Sequence, residues 1–189
     1  MTSNRLAFDG EIDFYELARH GRSAGWTPET PSEHPVPLRG AAQSGAFEFI
    51  WKAGASTRVR FVHDTVTEVR FIEILGDGTQ SVTDHLSTEF NLIDYQACLR
   101  KMSEERSETS QEHLLEALGA ISPRDFSGDV YAAITEALQH ESPIVRAAAV
   151  SAAGELSWSE FRRPLQETAD HDPDPNLRAF ATNTIFTLK

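Results

Sequence analysis

The sequence has almost nothing with which to cross-link itself or to hold a soft metal. Cys98 is the only cysteine among 189 residues, so no disulfide can close within the chain and no thiolate cluster can form. Basic side chains are scarce as well. Seventeen Lys and Arg face 29 Asp and Glu, giving a formal net charge of −12. The shortfall is spread along the chain. Residues 1–107 hold 11 basic and 16 acidic side chains and residues 108–189 hold 6 and 13, leaving −5 and −7. Such a field repels a phosphate backbone and attracts a basic protein, although acidity also serves solubility alone. Long apolar runs are missing too. Neither a signal peptide nor a membrane span is expected, and the expected compartment is the cytoplasm.

What is present suffices for a folded protein. The apolar fraction is 40% and the charged fraction 24%, enough for one compact domain or two small ones. Residues 9–25 read as a helix, capped by Asp9 or Asp13, with Ile12, Phe14, Leu17 and Ala18 as its apolar positions. Pro28, Pro31, Pro35 and Pro37 make residues 27–45 an extended connector. Alternation then predicts strands. Phe47, Phe49 and Trp51 alternate with Glu48, Ile50 and Lys52, and Val59 and Phe61 alternate with Arg58 and Arg60. A third β-rich run covers Val66 to Leu75, and Asp77-Gly78 reads as a hairpin turn into Gln80 to Thr83. The expectation is a four-stranded antiparallel meander with one apolar face, covered by the 9–25 helix, and one face carrying Lys52, Arg58 and Arg60. A small α+β module over residues 1–90 follows.

From about residue 91 the period becomes helical. Leu92, Tyr95, Leu99 and Met102 form one stripe, and Thr109-Ser-Gln-Glu112 reads as a capping box before Leu114, Leu115 and Leu118. Ser127 caps a further helix, with Phe126 and Tyr131 as a hydrophobic staple. Ser157-x-x-Glu160 reads as another capping box. One phrase occurs twice. Ser142-Pro143-Ile144-Val145-Arg146-Ala147-Ala148-Ala149 returns 32 residues later as Asp174-Pro175-Asn176-Leu177-Arg178-Ala179-Phe180-Ala181. Each copy is a small polar cap, a proline at the first helical position, an apolar residue, an arginine and an alanine-rich helix. A weaker copy lies upstream at a spacing of 35, where Leu115 to Ser122 matches Val150 to Ser157 and Gln111 stands in the place of Arg146. A period of this length with helical content marks stacked helix pairs.

On these features residues 108–189 resemble HEAT-type repeats: a turn phrase before a Val/Leu-Arg pair, alanine-rich second helices over 146–156 and 178–188, and Pro164 inside the 158–169 helix. The resemblance implies a C-terminal HEAT-like α-solenoid of two to three helix pairs within an α-helical domain over 91–189, and so an α+β chain overall. Arg146 and Arg178 are expected to tie repeat to repeat through Asp172 or Asp174. Residues 1–90 resemble no family known to us.

Chemistry-bearing patterns are sparse. Asp170, Asp172 and Asp174 have calcium-loop spacing but lack the glycine and the distal glutamate such a loop needs. Of seven histidines none pairs with another at helical spacing; His63-Asp64 and Asp84-His85 flank the expected strands and read as surface or cap groups. Cys98 reads as a small buried hydrophobe. An RNA-binding sheet would need Phe47, Phe49, Phe61 and Phe71 on the face of the arginines, and the alternation places them in the core. No catalytic, cofactor or metal residue is therefore expected. The candidate partner-contacting residues are Glu141, Glu155, Trp158, Asp170, Asp172, Asp174 and Phe186. Trp158 is chosen as an exposed first-turn residue, and Phe186 as a residue off the apolar stripe of the last helix. The expected function is non-catalytic protein–protein interaction with a partner of basic surface, in its sharpest form a bacterial immunity protein neutralising a basic toxin. The alternatives are a HEAT-like enzyme acting on nucleic acid or a small molecule, and a homo-oligomeric structural component joined through the C-terminal helix.

Overall fold

The computed structural model describes residues 3–30, 32–38 and 45–188. The chain forms two compact units, Met1–Asp94 and Tyr95–Lys189. Among the described residues no helix is long and apolar enough to cross a membrane.

The first unit is a mixed-length antiparallel sheet of seven strands: β1 (Ser3–Phe8), β2 (Thr27–Pro28), β3 (Val36–Pro37), β4 (Ala46–Lys52), β5 (Arg58–Asp64), β6 (Arg70–Leu75) and β7 (Leu92–Ile93). Their order is β2-β4-β5-β6-β1-β7, with β3 also pairing β4. The central meander β4-β5-β6 is the one the alternation predicts. The fourth long strand is not Gln80 to Thr83 but β1, which pairs with β6 from Ser3 opposite Leu75 to Ala7 opposite Phe71. Gln80 to Thr83 belong to helix α2 (Thr79–Ser87). The proline-rich connector is extended as expected, yet it supplies β2 and β3 as short partners of β4; Pro31 and residues 39–44 lie outside the described residues. Leu92 is in β7 rather than on a helix.

Helix α1 spans Phe14–Ser23, and the Asp13 side chain accepts the Tyr15 N–H to cap it. Helices α1 and α2 cover one face of the sheet. The core there joins Leu6, Phe8, Phe49, Trp51, Val59, Phe61, Ile72 and Ile74 from the strands to Leu17 and Leu86 from the helices. Phe47 and Phe71 are outside this cluster, contrary to the expectation that all four phenylalanines are core. The opposite face carries a ladder of alternating charge. Arg5 meets Glu73 at 2.8 Å, Glu73 meets Arg60 at 3.0 Å, and Arg60 meets Glu48 at 2.7 Å. Burial alone would raise the Glu73 carboxyl, but Arg5 and Arg60 together hold it below its ordinary range. Arg5 and Arg60 are thus committed to carboxylates, and Arg58 and Arg70 pair with Glu29 at 2.7 Å and Glu68 at 3.4 Å.

The fold also brings together two histidines that sequence spacing keeps apart. His20 of α1 and His85 of α2 lie with ring centroids 4.6 Å apart, beside Phe90 and Trp26. Burial, then the neighbouring His85, holds His20 below the usual histidine range, against a smaller opposing pull from Glu89. His63 pairs with Glu68 at 3.4 Å, not with the Asp84-His85 pair.

The second unit contains six α-helices: α3 (Tyr95–Glu104), α4 (Glu108–Ile121), α5 (Gly128–Ala137), α6 (Pro143–Leu156), α7 (Arg162–His171) and α8 (Pro175–Ile185). They pack as three antiparallel pairs, α3 with α4, α5 with α6 and α7 with α8, and the second helices stack in the order α4, α6, α8. Small residues set the closest approach. A Cβ placed on Gly119 of α4 would stand 2.8 Å from the Ala152 Cα of α6, and one on Gly154 would stand 3.0 Å from Thr184 of α8. Two expected caps differ. Ser107, not Thr109, is the N-cap of α4. Ser157 is not an N-cap at all: it ends α6 at φ 54°, its hydroxyl donating to the Gly154 carbonyl. A 3-10 turn over Ser159–Phe161 then leads into α7, and Pro164 sits in the first turn of α7, where its missing N–H costs nothing.

Candidate functional site

The three turns that join first to second helices are built alike. In each, one side chain accepts the N–H of the N-cap residue two positions on: Glu105 for Ser107 at 2.8 Å, His140 Nδ1 for Ser142 at 3.1 Å, and Asp172 for Asp174 at 2.8 Å. In each, a side chain one turn into the second helix returns to the carbonyl of that same residue: Gln111 to Glu105 O at 3.0 Å, Arg146 to His140 O at 2.9 Å, and Arg178 to Asp172 O at 2.7 Å. Gln111 therefore does the carbonyl-capping work of the missing arginine. The N–H groups of Ser107 and Arg106 hold the Glu105 carboxyl below its ordinary range. Glu, His and Asp share no sequence signature at these positions, and this common role is visible only in the turns.

Arg146 goes further than its equivalents. Its Nε and Nη2 grip both oxygens of Asp172, at 2.8 and 3.1 Å, across to the next repeat. The side chains are 9% and 3% exposed. The hydrogen bonds from Arg146 outweigh burial and hold the Asp172 carboxyl below its usual range, while Arg146 is held above its own. Among the described residues Arg178 bonds the carbonyls of Asp172 and Pro173 and no acidic side chain.

The loops at the other edge, joining one pair to the next, are pinned by an aromatic cluster. Trp158 is 6% exposed, contrary to its expected exposure. Its indole N–H donates to Arg124 O at 2.9 Å, and its ring stacks on Phe161 at 5.6 Å with Phe126 5.3 Å away. Phe126 and Tyr131 meet at 5.7 Å, as a staple should. Trp158 is an inter-repeat cross-link because the 3-10 turn tips it inward.

The predicted contact residues thus separate. Asp172 and Trp158 are interior and hold repeats together. Glu141, Asp170 and Phe186 are exposed, and Asp174 is half-buried, its Oδ1 taken by the Asn176 N–H at 2.8 Å. The acidic run of residues 167–174 is accordingly no single cluster, since Asp172 turns inward to Arg146 while Asp170 accepts from Gln166 outside. Glu155 lines a groove of about 760 Å³ together with Asp125, Phe126, Trp158 and Glu160. Phe126 is 50% exposed there. Asp125, Phe126 and Glu160 were not among the predicted contact residues; they line one groove because the loops before α5 and after α6 meet at this edge. A second groove, of about 380 Å³, runs between α6 and α8. Cys98 is fully buried, its thiol directed at the Leu114 carbonyl.

Stacked helix pairs with ladder-like turns define an α-solenoid, an architecture whose use is the extended surface it presents to other proteins. The family model for HEAT repeats matches residues 97–185. The C-terminal unit is a HEAT-like repeat region, and the match begins within α3, so that helix is the first member of the first pair. Neither the curated proteins nor the solved structures contain a match to the chain.

Proposed function

We propose that the chain is a non-catalytic binding protein that captures a basic protein through the acidic edges of its repeat unit. The carrying observation is the larger groove, which three carboxyl-bearing residues, Asp125, Glu155 and Glu160, line together with the half-exposed Phe126. The one cation of its lining, Arg124, spends a guanidinium N–H on the Glu155 carbonyl. A groove that offers both an aromatic ring and carboxylates suits a lysine or arginine side chain. In its most specific form the reading is a bacterial immunity protein that neutralises a basic toxin; small size, a charge of −12 and a repeat scaffold support it. Association with a small basic nuclease, followed by stopped flow, tests it. The association rate is expected to fall by about tenfold between 0.05 and 0.5 M salt, and further in Glu155→Lys/Glu160→Lys. A rate indifferent to salt overturns the electrostatic reading.

One observation favours a second reading, self-association through α8. Phe186 is 81% exposed and lies 32 residues after Gly154, the position in α6 that packs against Thr184 of α8. It thus occupies the face on which a further helix would stack. Light scattering at micromolar concentration should then give a dimer that Phe186→Asp dissociates; a monomer weight for the unsubstituted protein excludes this reading.

A further inference from the structure

The two copies of the repeated phrase differ in burial most sharply at one position, Ala148 against Phe180, and Phe180 lines the groove between α6 and α8. Val145 and Leu177 are both buried, as are Ala149 and Ala181. Between them, Ala148 is 3% exposed while its equivalent Phe180 is 40% exposed. Ala148 lies one turn before Ala152, on the face where α6 meets Gly119 of α4 at close range. A phenyl ring cannot enter a contact of that kind. Phe180 instead forms one wall of the 380 Å³ groove, with Ile144 and Ala147 opposite and Leu177 among its lining. Ile144 is itself 48% exposed. Two large, partly exposed apolar side chains, one from each helix, thus line the same open groove.

The rim states what charge the occupant carries. Asp174 lines the groove with one carboxylate oxygen engaged by Asn176, and it is the one charged residue of that lining. The nearby cation, Arg178, is held on the carbonyls of its own turn. We propose that this groove docks an amphipathic helix of a basic partner, with an apolar side chain between Ile144 and Phe180 and a lysine or arginine on Asp174. This rests on the proposed function and gives that partner a site and a binding mode: the apolar stripe of a helix laid in a groove between two helices. The volume lies near the lower end of ligand clefts (~300–1,000 Å³) and suits one or two anchoring side chains.

Three 14-residue peptides test it on the intact protein by calorimetry: a Leu/Lys amphipathic helix, a Leu/Glu counterpart, and a Ser/Lys peptide of the same charge without apolar anchors. The Leu/Lys peptide is expected to bind. Phe180→Ala, which restores the residue of the preceding repeat, and Ile144→Ser are each expected to weaken it by about tenfold with the thermal transition retained. The two variants lie on different helices, so a folding defect in one leaves the other to decide. If Ser/Lys binds as tightly as Leu/Lys, the groove proposal is overturned while the acidic-surface reading stands. If Leu/Glu binds as tightly as Leu/Lys, the basic occupant is overturned and the acidic-surface reading with it. Binding of Leu/Lys that neither variant weakens, or no binding at all, overturns the proposal, as does a dimer of the chain that masks the groove and is dissociated by the peptide.

Discussion

Asp172→Ala will lower the stability of the repeat unit by about 3–5 kcal/mol, the range for removing one partner of a buried ion pair. The substitution strands a guanidinium that is 9% exposed. It also removes three hydrogen bonds at once, two from Arg146 and one from the Asp174 N–H at the start of α8. For a unit of this size that is a fall in Tm of ~10 °C or more. The control is Arg146→Met/Asp172→Leu, which leaves no charge behind and should recover much of the loss. Recovery will be incomplete, since Arg146 also satisfies the His140 and Glu141 carbonyls. The pair sets an acid limit as well. Because the folded Asp172 carboxyl lies below its unfolded value of about 3.9, its stabilisation is fully present above that value. It is lost as pH falls below 3.9 toward the folded value. Chemical denaturation at pH 7 and pH 3 should therefore show a smaller loss on acidification in the double substitution than in the unsubstituted protein. An Asp172→Ala protein as stable as the parent would show that the clasp is dispensable.

That clasp was half legible in the sequence. The 32-residue echo placed Arg146 and Arg178 at equivalent positions, and the acidic turn one repeat on gave Arg146 a partner. What the echo could not show is that Arg146 grips a carboxylate while Arg178 is held on the carbonyls of its own turn. Alternation revealed β4 and β5, because their side chains are divided between a core and a charged face, and a β-rich run over Val66 to Leu75 contained β6. It missed β1, where Leu6, Ala7 and Phe8 run together and the pairing to β6 is with residues some 70 positions away. The exposure of Phe180 was hidden for a related reason. Phe180 sits on an apolar helical stripe with Leu177 and Ala181, and periodicity reports the stripe without reporting how closely the neighbouring helix approaches. Trp158 was read as a first-turn surface residue because its inward tilt comes from the 3-10 turn, which has no pattern of its own.

The same logic applies to the Gly76-Asp77-Gly78 segment, read as a hairpin, and it leads to the second large effect. Gly76 has φ +109°, a region that L side chains rarely occupy. A Cβ there would run into the Ser56 carbonyl oxygen and lie 3.2 Å from the Thr57 Cα. The close approach lets the segment leave the sheet sideways. The Thr57 hydroxyl accepts the Gly78 N–H at 3.1 Å, the Thr79 hydroxyl donates to the Gly76 carbonyl, and the chain turns into α2. That exit carries Leu86, fully buried, onto the apolar face of the sheet. Gly76→Ala combines a strained dihedral, about 1–3 kcal/mol, with a backbone collision that only a shift of residues 56–57 can relieve, so a total loss of about 3 kcal/mol or more is expected. Gly54→Ala separates the two causes, since Gly54 has φ +122° but nothing within 4 Å of its Cβ position. It should incur the dihedral cost alone. Denaturant midpoints for both variants decide the matter. A loss at Gly76 exceeding that at Gly54 by about 2 kcal/mol assigns the difference to the collision. Equal losses would mean that the end of β6 yields freely, and that the entry into α2 is fixed by Leu86 in the core instead.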